Sequence, residues 1–306
     1  MSRNDFLTFR RSLGRTPPLE RMTVRARGLD FAVWSSPPVG DEIPLMLVNG
    51  GLLHDHALLW PALSPLAVRR QVLLYDQRGR GASAAPADPA AARIEDDAED
   101  IPALRRALGI RKWDVLGHSW GGGIAMLAVA RDPSGTRRLV TANAVGPTSA
   151  WMPALQANGL ARVDARRRQV LAELYPEALS RPDLATHGAY SQAIYPAYFA
   201  DPAFAQHFAP PDGVSVTGAS IAAHLRRVGY DWSAKLRALS TPALVIHGED
   251  DALPASVATT LAELLPHARL VLIPRAGHMP FWEAPVRFFS EVEAFLGPGP
   301  PARTIP

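Results

Sequence analysis

Five residues, Gly117-His118-Ser119-Trp120-Gly121, place a serine between two glycines. An apolar run, Val115-Leu116, precedes them, and "GGGIAMLAVA" follows. A serine set on a tight strand-to-helix turn has its hydroxyl lifted clear of the backbone, beside the free N–H groups of a helix start. The same spacing also serves a plain Gly-rich turn that packs a helix closely on a sheet. A serine hydroxyl needs a base, and the base needs an orienting carboxylate. "LVLIPRAGHMPFWEAP" offers His278 after a second apolar run; alone, it also reads as a structural histidine. "ALVIHGEDDALP" offers Asp251, which a tight turn starting at Gly248 carries back over the strand end, with Asp250 as the reserve. No acid occurs between Asp132 and Asp164, so the preceding strand end supplies no rival. The order Ser119, Asp251, His278 is that of a strand–turn–helix serine site. The N–H of Trp120 faces a developing oxyanion, and "NGGLL" (Asn49–Leu53) supplies a second donor, Gly51 or Leu52.

These residues need strands to hold them. Leu45–Val48, Val72–Tyr75, Val115–Leu116, Leu139–Val140, Ala243–Ile246 and Leu270–Ile273 are short continuous apolar runs, as expected for parallel strands covered on both faces. Between them, Ile94, Ala98, Ile101 and Leu108 share one helical face with Gly109 as a stop. Phe288, Val292, Phe295 and Leu296 share another, between Pro285 and Gly297. The alternation predicts an α/β class with a mostly parallel sheet flanked by helices. It breaks from about Gly146 to Leu236, where helices are predicted over 160–179, 184–198 and 220–228 and prolines mark the joints (Pro153, Pro176, Pro182, Pro196, Pro210, Pro211). This predicts a core over 1–146 and 237–306 with an inserted helical cap over 147–236. The last residues, 297–306, "GPGPPARTIP", read as a disordered tail.

Composition narrows the function. The chain has 306 residues, 47% of them hydrophobic, with a net charge of +3. No basic stripe interleaved with aromatics is present, which argues against a nucleic-acid partner. With no cysteine, disulfides, thiolate metal sites and a Cys nucleophile are excluded. The absence of a signal-like or membrane-length apolar run points to a cytoplasmic protein with no membrane partner. His54 and His56 form an H-x-H pair without an obvious third ligand, so no metal is expected. No cofactor is required either. The acidic run Glu95 to Asp100 suits a helix start. Arg166–Arg168 reads as exposed charge.

Taken together, "NGG" with its downstream "HDH", "LLYDQRGRGAS" (Leu73–Ser83), "LGHSWGGG" (Leu116–Gly123), "HGEDD" (His247–Asp251) and "AGHMPFWEAP" (Ala276–Pro285) resemble the α/β-hydrolase superfamily, nearest the branch of proline iminopeptidases and related esterases. The resemblance implies an α/β-hydrolase fold and covalent serine catalysis by Ser119, Asp251 and His278, with Gly51 and Trp120 as oxyanion donors. Asn49 stands where that branch carries His, and Gly51-Leu52-Leu53 where it often carries Gly-Pro-Gly. The peptidases bind a substrate amine with cap acids, one late in the cap, yet Val214 to Tyr230 holds none. Glu173 and Glu177 could form an amine site or a solvated helix face. The expected small-molecule substrate is a carboxylic ester of small or medium apolar character, in a pocket drawn from Leu52, His54, His118, Tyr195, Tyr198, Phe199 and Met279. A proline iminopeptidase, a lactonase, a C–C bond hydrolase, an acyltransferase and a non-catalytic binding relative are the alternatives. The sequence leaves the oligomeric state open.

Overall fold

In the computed structural model, residues 9–10, 13, 18–175, 177–208 and 215–297 are described. Eight strands form one sheet: β1 (Glu20–Ala26), β2 (Leu29–Ser35), β3 (Leu45–Val48), β4 (Val72–Tyr75), β5 (Trp113–His118), β6 (Thr136–Ala142), β7 (Ala243–Gly248) and β8 (Ala268–Ile273). Their order across the sheet is β1-β2-β4-β3-β5-β6-β7-β8. From β4 to β8 every pairing is parallel. β1 and β2 form an antiparallel hairpin at the edge, joined to β4 antiparallel. That hairpin has no counterpart among the apolar runs, because β1 is largely exposed and alternates rather than running apolar.

The central strands are buried throughout. Alternate residues serve opposite faces: Met46, Val48, Leu73 and Val115 pack in one core cluster, while Leu45, Leu47, Leu74 and Leu116 pack in the other. Helix α1 (Ile94–Ala107) and α2 (Trp120–Arg131) bury Ile94, Ile101, Ile124 and Met126 in the first cluster.

Between β6 and β7 lie α3 (Met152–Arg162), α4 (Ala165–Leu174), α5 (Leu184–Ile194), α6 (Val216–Val228) and α7 (Ser233–Arg237). The two ends of this excursion are stitched together by a bridge between Thr148 and Asp231 and by bonds from Ser149 N to Tyr230 O and Trp232 N to Pro147 O. The helix predicted over 160–179 is broken. α3 stops at Arg162, and the Asp164 side chain caps α4 by accepting from Arg167 N at 2.9 Å. The helix predicted over 184–198 ends early because Pro196 lacks an N–H donor, and Tyr195–Tyr198 tightens to a 3₁₀ turn. Pro176, Pro210 and Pro211 lie outside the described residues, as do 298–306 of the predicted tail. After β7 come α8 (Ala255–Leu264), the short α9 (Pro280–Glu283) and α10 (Pro285–Leu296), whose Phe288, Val292 and Leu296 fill the second cluster. No described helix is long and apolar enough to cross a membrane.

Candidate active site

Ser119 sits between the end of β5 and the first residue of α2, at φ 55 and ψ −124. This left-handed conformation is one that side-chain-bearing residues rarely adopt. The flanking glycines make the turn possible. A Cβ on Gly121 would lie 2.1 Å from Val48 O, and one on Gly117 would lie 2.2 Å from Gly121 O. The strand, the turn and the helix therefore approach more closely than any other residue permits.

His278, on the loop between β8 and α9, points Nδ1 at Asp251 Oδ2, 2.7 Å away. Asp251 follows β7, and its N–H closes a turn on Gly248 O at 3.2 Å. Its second oxygen accepts from Leu253 N, and Asn143 Nδ2 donates to Oδ2 at 2.7 Å. Burial alone would raise this carboxyl. The neighbouring His278 and His247 and the hydrogen bonds from His278 and Asn143 outweigh burial and hold it below the ordinary range. Asp251 is thus a carboxylate that accepts from His278 Nδ1–H, which leaves Nε2 as the proton acceptor. The reserve candidate Asp250 is exposed.

The histidine loop is clamped from three directions. His118 Nε2 donates to His278 O at 2.8 Å, His278 N donates to Tyr198 O at 2.6 Å, and the Tyr198 ring stacks on the imidazole at 4.6 Å between centroids. Burial, with His278 adjacent, pushes the His118 pKa down to about 3, so this clamp stays neutral. Glu283 ties the same loop to the helical excursion. One oxygen accepts from Gly277 N and the other from Ala200 N, each at 2.8 Å.

A cavity of about 100 Å³ is lined by Ser119, His278, Gly51, Trp120 and, of the predicted pocket set, Leu52, His54, His118, Tyr195, Tyr198 and Met279. Phe199 is not part of it. That ring is fully buried and stacks on Phe208 at 5.1 Å, in the second core cluster. Gly51 lies at φ +78 and Leu52 at φ +53. The N–H groups of Gly51, Leu52 and Trp120 donate to no backbone carbonyl among the described residues. Tyr190 and Arg226, neither in the predicted set, also line the cavity.

The "DQRGRG" turn (Asp76–Gly81) supports the loop after β3. Gln77 Nε2 donates to Asn49 O at 2.8 Å and Arg80 Nε to Leu52 O at 2.7 Å, so this turn holds the carbonyls of the loop that presents Gly51. Arg80 is itself fixed by Asp97, and Arg78 by Asp100, in buried pairs. The acidic run is therefore more than a match for the α1 dipole. Two of its carboxylates are buried counter-ions, a role that shows only when α1 and the turn after β4 are brought together. Of the H-x-H pair, His54 faces the cavity, while His56 bonds Asp76 at 2.9 Å and stacks on Trp34. Asp55 and Asp76 approach His56 as potential metal ligands. Asp76 is already committed, accepting from His56 N at 3.0 Å and Ala82 N at 2.7 Å. Glu173 and Glu177 are exposed and do not line the cavity; Glu177 lies beyond the end of α4.

The sequence is 27% identical over 293 residues to a proline iminopeptidase of Lactobacillus delbrueckii subsp. lactis, covering 85% of this chain and 94% of that one. It is 32% identical over 233 residues to a 2-hydroxymuconate semialdehyde hydrolase of Pseudomonas putida, covering 74% and 77%. In structure, a proline iminopeptidase from Mycobacterium smegmatis superposes with a TM-score of 0.68 at 24% identity, covering 90% of this chain and 97% of that one, a likeness of fold. The family model for the alpha/beta hydrolase fold matches residues 44–285. That span runs from β3 to the start of α10, and with the relatives it establishes that the chain belongs to the α/β-hydrolase family.

Proposed function

We propose that this protein is a serine hydrolase that cleaves a carboxylic ester of a small or medium apolar substrate through an acyl-enzyme. The observation that carries the reading is His278 in one cavity wall, hydrogen-bonded from behind by the buried Asp251, with Ser119, on its strained turn, in another. Ser119 Oγ attacks the ester carbonyl as His278 Nε2 takes its proton. The tetrahedral oxyanion is held by the N–H groups of Gly51 and Trp120, the latter at the positive end of α2. Collapse expels the alcohol, which takes the proton from His278. Water then attacks the acyl group with His278 again as base, releasing the acid and free Ser119. Asp251, kept ionised, fixes the ring and stabilises its charged form. The aromatic walls (Trp120, Trp151, Tyr195, Tyr198) and the small volume of the cavity support a compact substrate.

A second reading, proline iminopeptidase, is favoured by the relatives of that name. A substrate amine would call for a carboxylate in the pocket, and no Asp or Glu is among the described residues that line it. The test is turnover of p-nitrophenyl acetate, butyrate and octanoate against prolyl and alanyl β-naphthylamide, with Ser119→Ala as the control. Ester cleavage lost in the variant, without amide cleavage, supports the esterase. Dominant prolyl-amide cleavage establishes the second reading instead.

A further inference from the structure

Arg226 lies near the C-terminal end of α6, and its side chain lines the cavity that holds Ser119 and His278. It is the only permanently charged side chain among the described lining residues. No Asp or Glu pairs with it among the described residues, whereas the buried Arg78 and Arg80 each have a carboxylate partner. Its neighbours are tyrosines, and the Tyr190 hydroxyl takes a hydrogen bond from it. The guanidinium lies 5.1 Å from the ring centre of Tyr190 and 5.9 Å from that of Tyr175. Tyr190 is in turn fixed, its hydroxyl donating to Gln156 Oε1 at 3.0 Å. Stacking of this kind orients the planar fork while leaving its remaining N–H groups to other partners. A cation held in a small cavity with no acid among its described lining residues attracts a negative group strongly, because few water molecules compete.

The geometry points to a specificity residue: Arg226 binds a carboxylate on the substrate, remote from the scissile carbonyl, so that the compounds turned over are half-esters of short dicarboxylic acids or acyl esters of hydroxy acids. This rests on the serine-hydrolase reading above and replaces its apolar substrate with an ester that carries a carboxylate. It also gives a physical reason for the pocket to disfavour a free amine, which would meet a like charge.

The test compares kcat/KM, by proton release, for monomethyl succinate, glutarate and adipate against methyl butyrate, pentanoate and hexanoate. A second pair, 3-acetoxypropionate against propyl acetate, shows whether the carboxylate belongs to the acyl or the alcohol half. In the wild type, at least one charged ester should exceed its neutral counterpart by about tenfold or more, in keeping with a charge-assisted hydrogen bond. In Arg226→Gln that ratio should fall to near one, and Arg226→Lys should retain part of it. Reading a ratio cancels any loss of folded enzyme. A ratio near one for every pair in the wild type, or a preference unchanged in Arg226→Gln, overturns the inference. Should no ester be turned over, the hydrolase reading fails by itself, and thermal melts of Ser119→Ala with and without glutarate decide this one. Stabilisation lost on adding Arg226→Gln supports it; stabilisation that persists, or none at all, overturns it.

Discussion

The strand-end loops and the helices between β6 and β7 face the same cavity but are built on different principles. In the loops the backbone does the positioning. Ser119 sits at positive φ, Gly121 presses against Val48 O, and Gln77 and Arg80 hold the carbonyls of Asn49 and Leu52. In the helices, side chains do it. Tyr190, Arg226 and Gln156 come from three different helices and meet only through packing. A reactive group tolerates little displacement, so its turn is fixed by close backbone contact. A binding wall can be remodelled by exchanging side chains on a regular helix. The comparison predicts that the loops respond steeply to small changes and the helices shallowly.

The largest effect should come from the groups proposed to react. Ser119→Ala or His278→Ala should each lower kcat by about 10⁴ to 10⁶ with the fold intact, as measured by ester turnover beside a thermal melt. Near-native turnover by either variant would remove that residue from the mechanism. Next is the turn itself. Gly121→Ala places a methyl carbon 2.1 Å from Val48 O, so β3 and α2 must move apart. The expected cost is about 3 kcal/mol, at the upper end of overpacking, with loss of activity. Denaturant unfolding checks it, and a loss below about 1 kcal/mol would show that the loops are softer than the comparison holds.

This contrast also governs what the sequence disclosed. Ser119, Asp251 and His278 were legible because each follows an apolar strand and because the turn chemistry leaves glycines in fixed places. Four of the six predicted strand runs agree with β3, β4, β7 and β8 at their starting or closing residues, since continuous apolar runs mark strands covered on both faces. Arg226 was not legible. It is one of the two arginines in "HLRRV", and only the packing of α6 against α5 directs it, and not the exposed Arg227, into the cavity. Phe199 was misplaced for the same reason. Only three residues separate Tyr195 from Phe199, and a 3₁₀ turn sends Tyr195 and Tyr198 to the cavity and Phe199 to the core. Asn143 carries no local signature, because its partners Asp251 and Gly277 lie on other elements, and the same holds for the bond of Glu283 to Ala200.

Glu283 joins the two regions, so its titration tests the seam between them. Burial raises its pKa from 4.5 to about 7, against the lowering effect of the Ala200 and Gly277 N–H groups. The folded state therefore keeps a proton that the unfolded chain has released. Stability from this group is present below the unfolded pKa and declines as pH rises through the window from about 4.5 to 7, by a total on the order of 3 kcal/mol. Glu283→Gln has no such proton to lose. The melting temperature of the wild type minus that of Glu283→Gln should fall between pH 5 and 7 and then level off. A difference that is flat or rises over that range would show that the carboxylate is accommodated at the seam without the cost burial implies.

The smallest effect should have the opposite sign, and it sharpens the comparison most. Gly188 lies inside α5 with nothing within 4 Å of where a Cβ would be, and its φ lies outside the positive range. Alanine there meets no neighbour, restricts the unfolded chain and raises helix propensity. Gly188→Ala should therefore stabilise the protein by about 0.5 to 1 kcal/mol. Like Gly121, it replaces one hydrogen by a methyl group in a helix that faces the cavity, so the chemistry of the two substitutions is the same and only the surroundings differ. A denaturant midpoint that rises for Gly188→Ala and collapses for Gly121→Ala would place the rigidity of the site in the strand-end turn. If Gly188→Ala also lowered stability, α5 would have to be held as tightly as the turn, and the wall carrying Tyr190 would be part of the fixed frame, not its adjustable half.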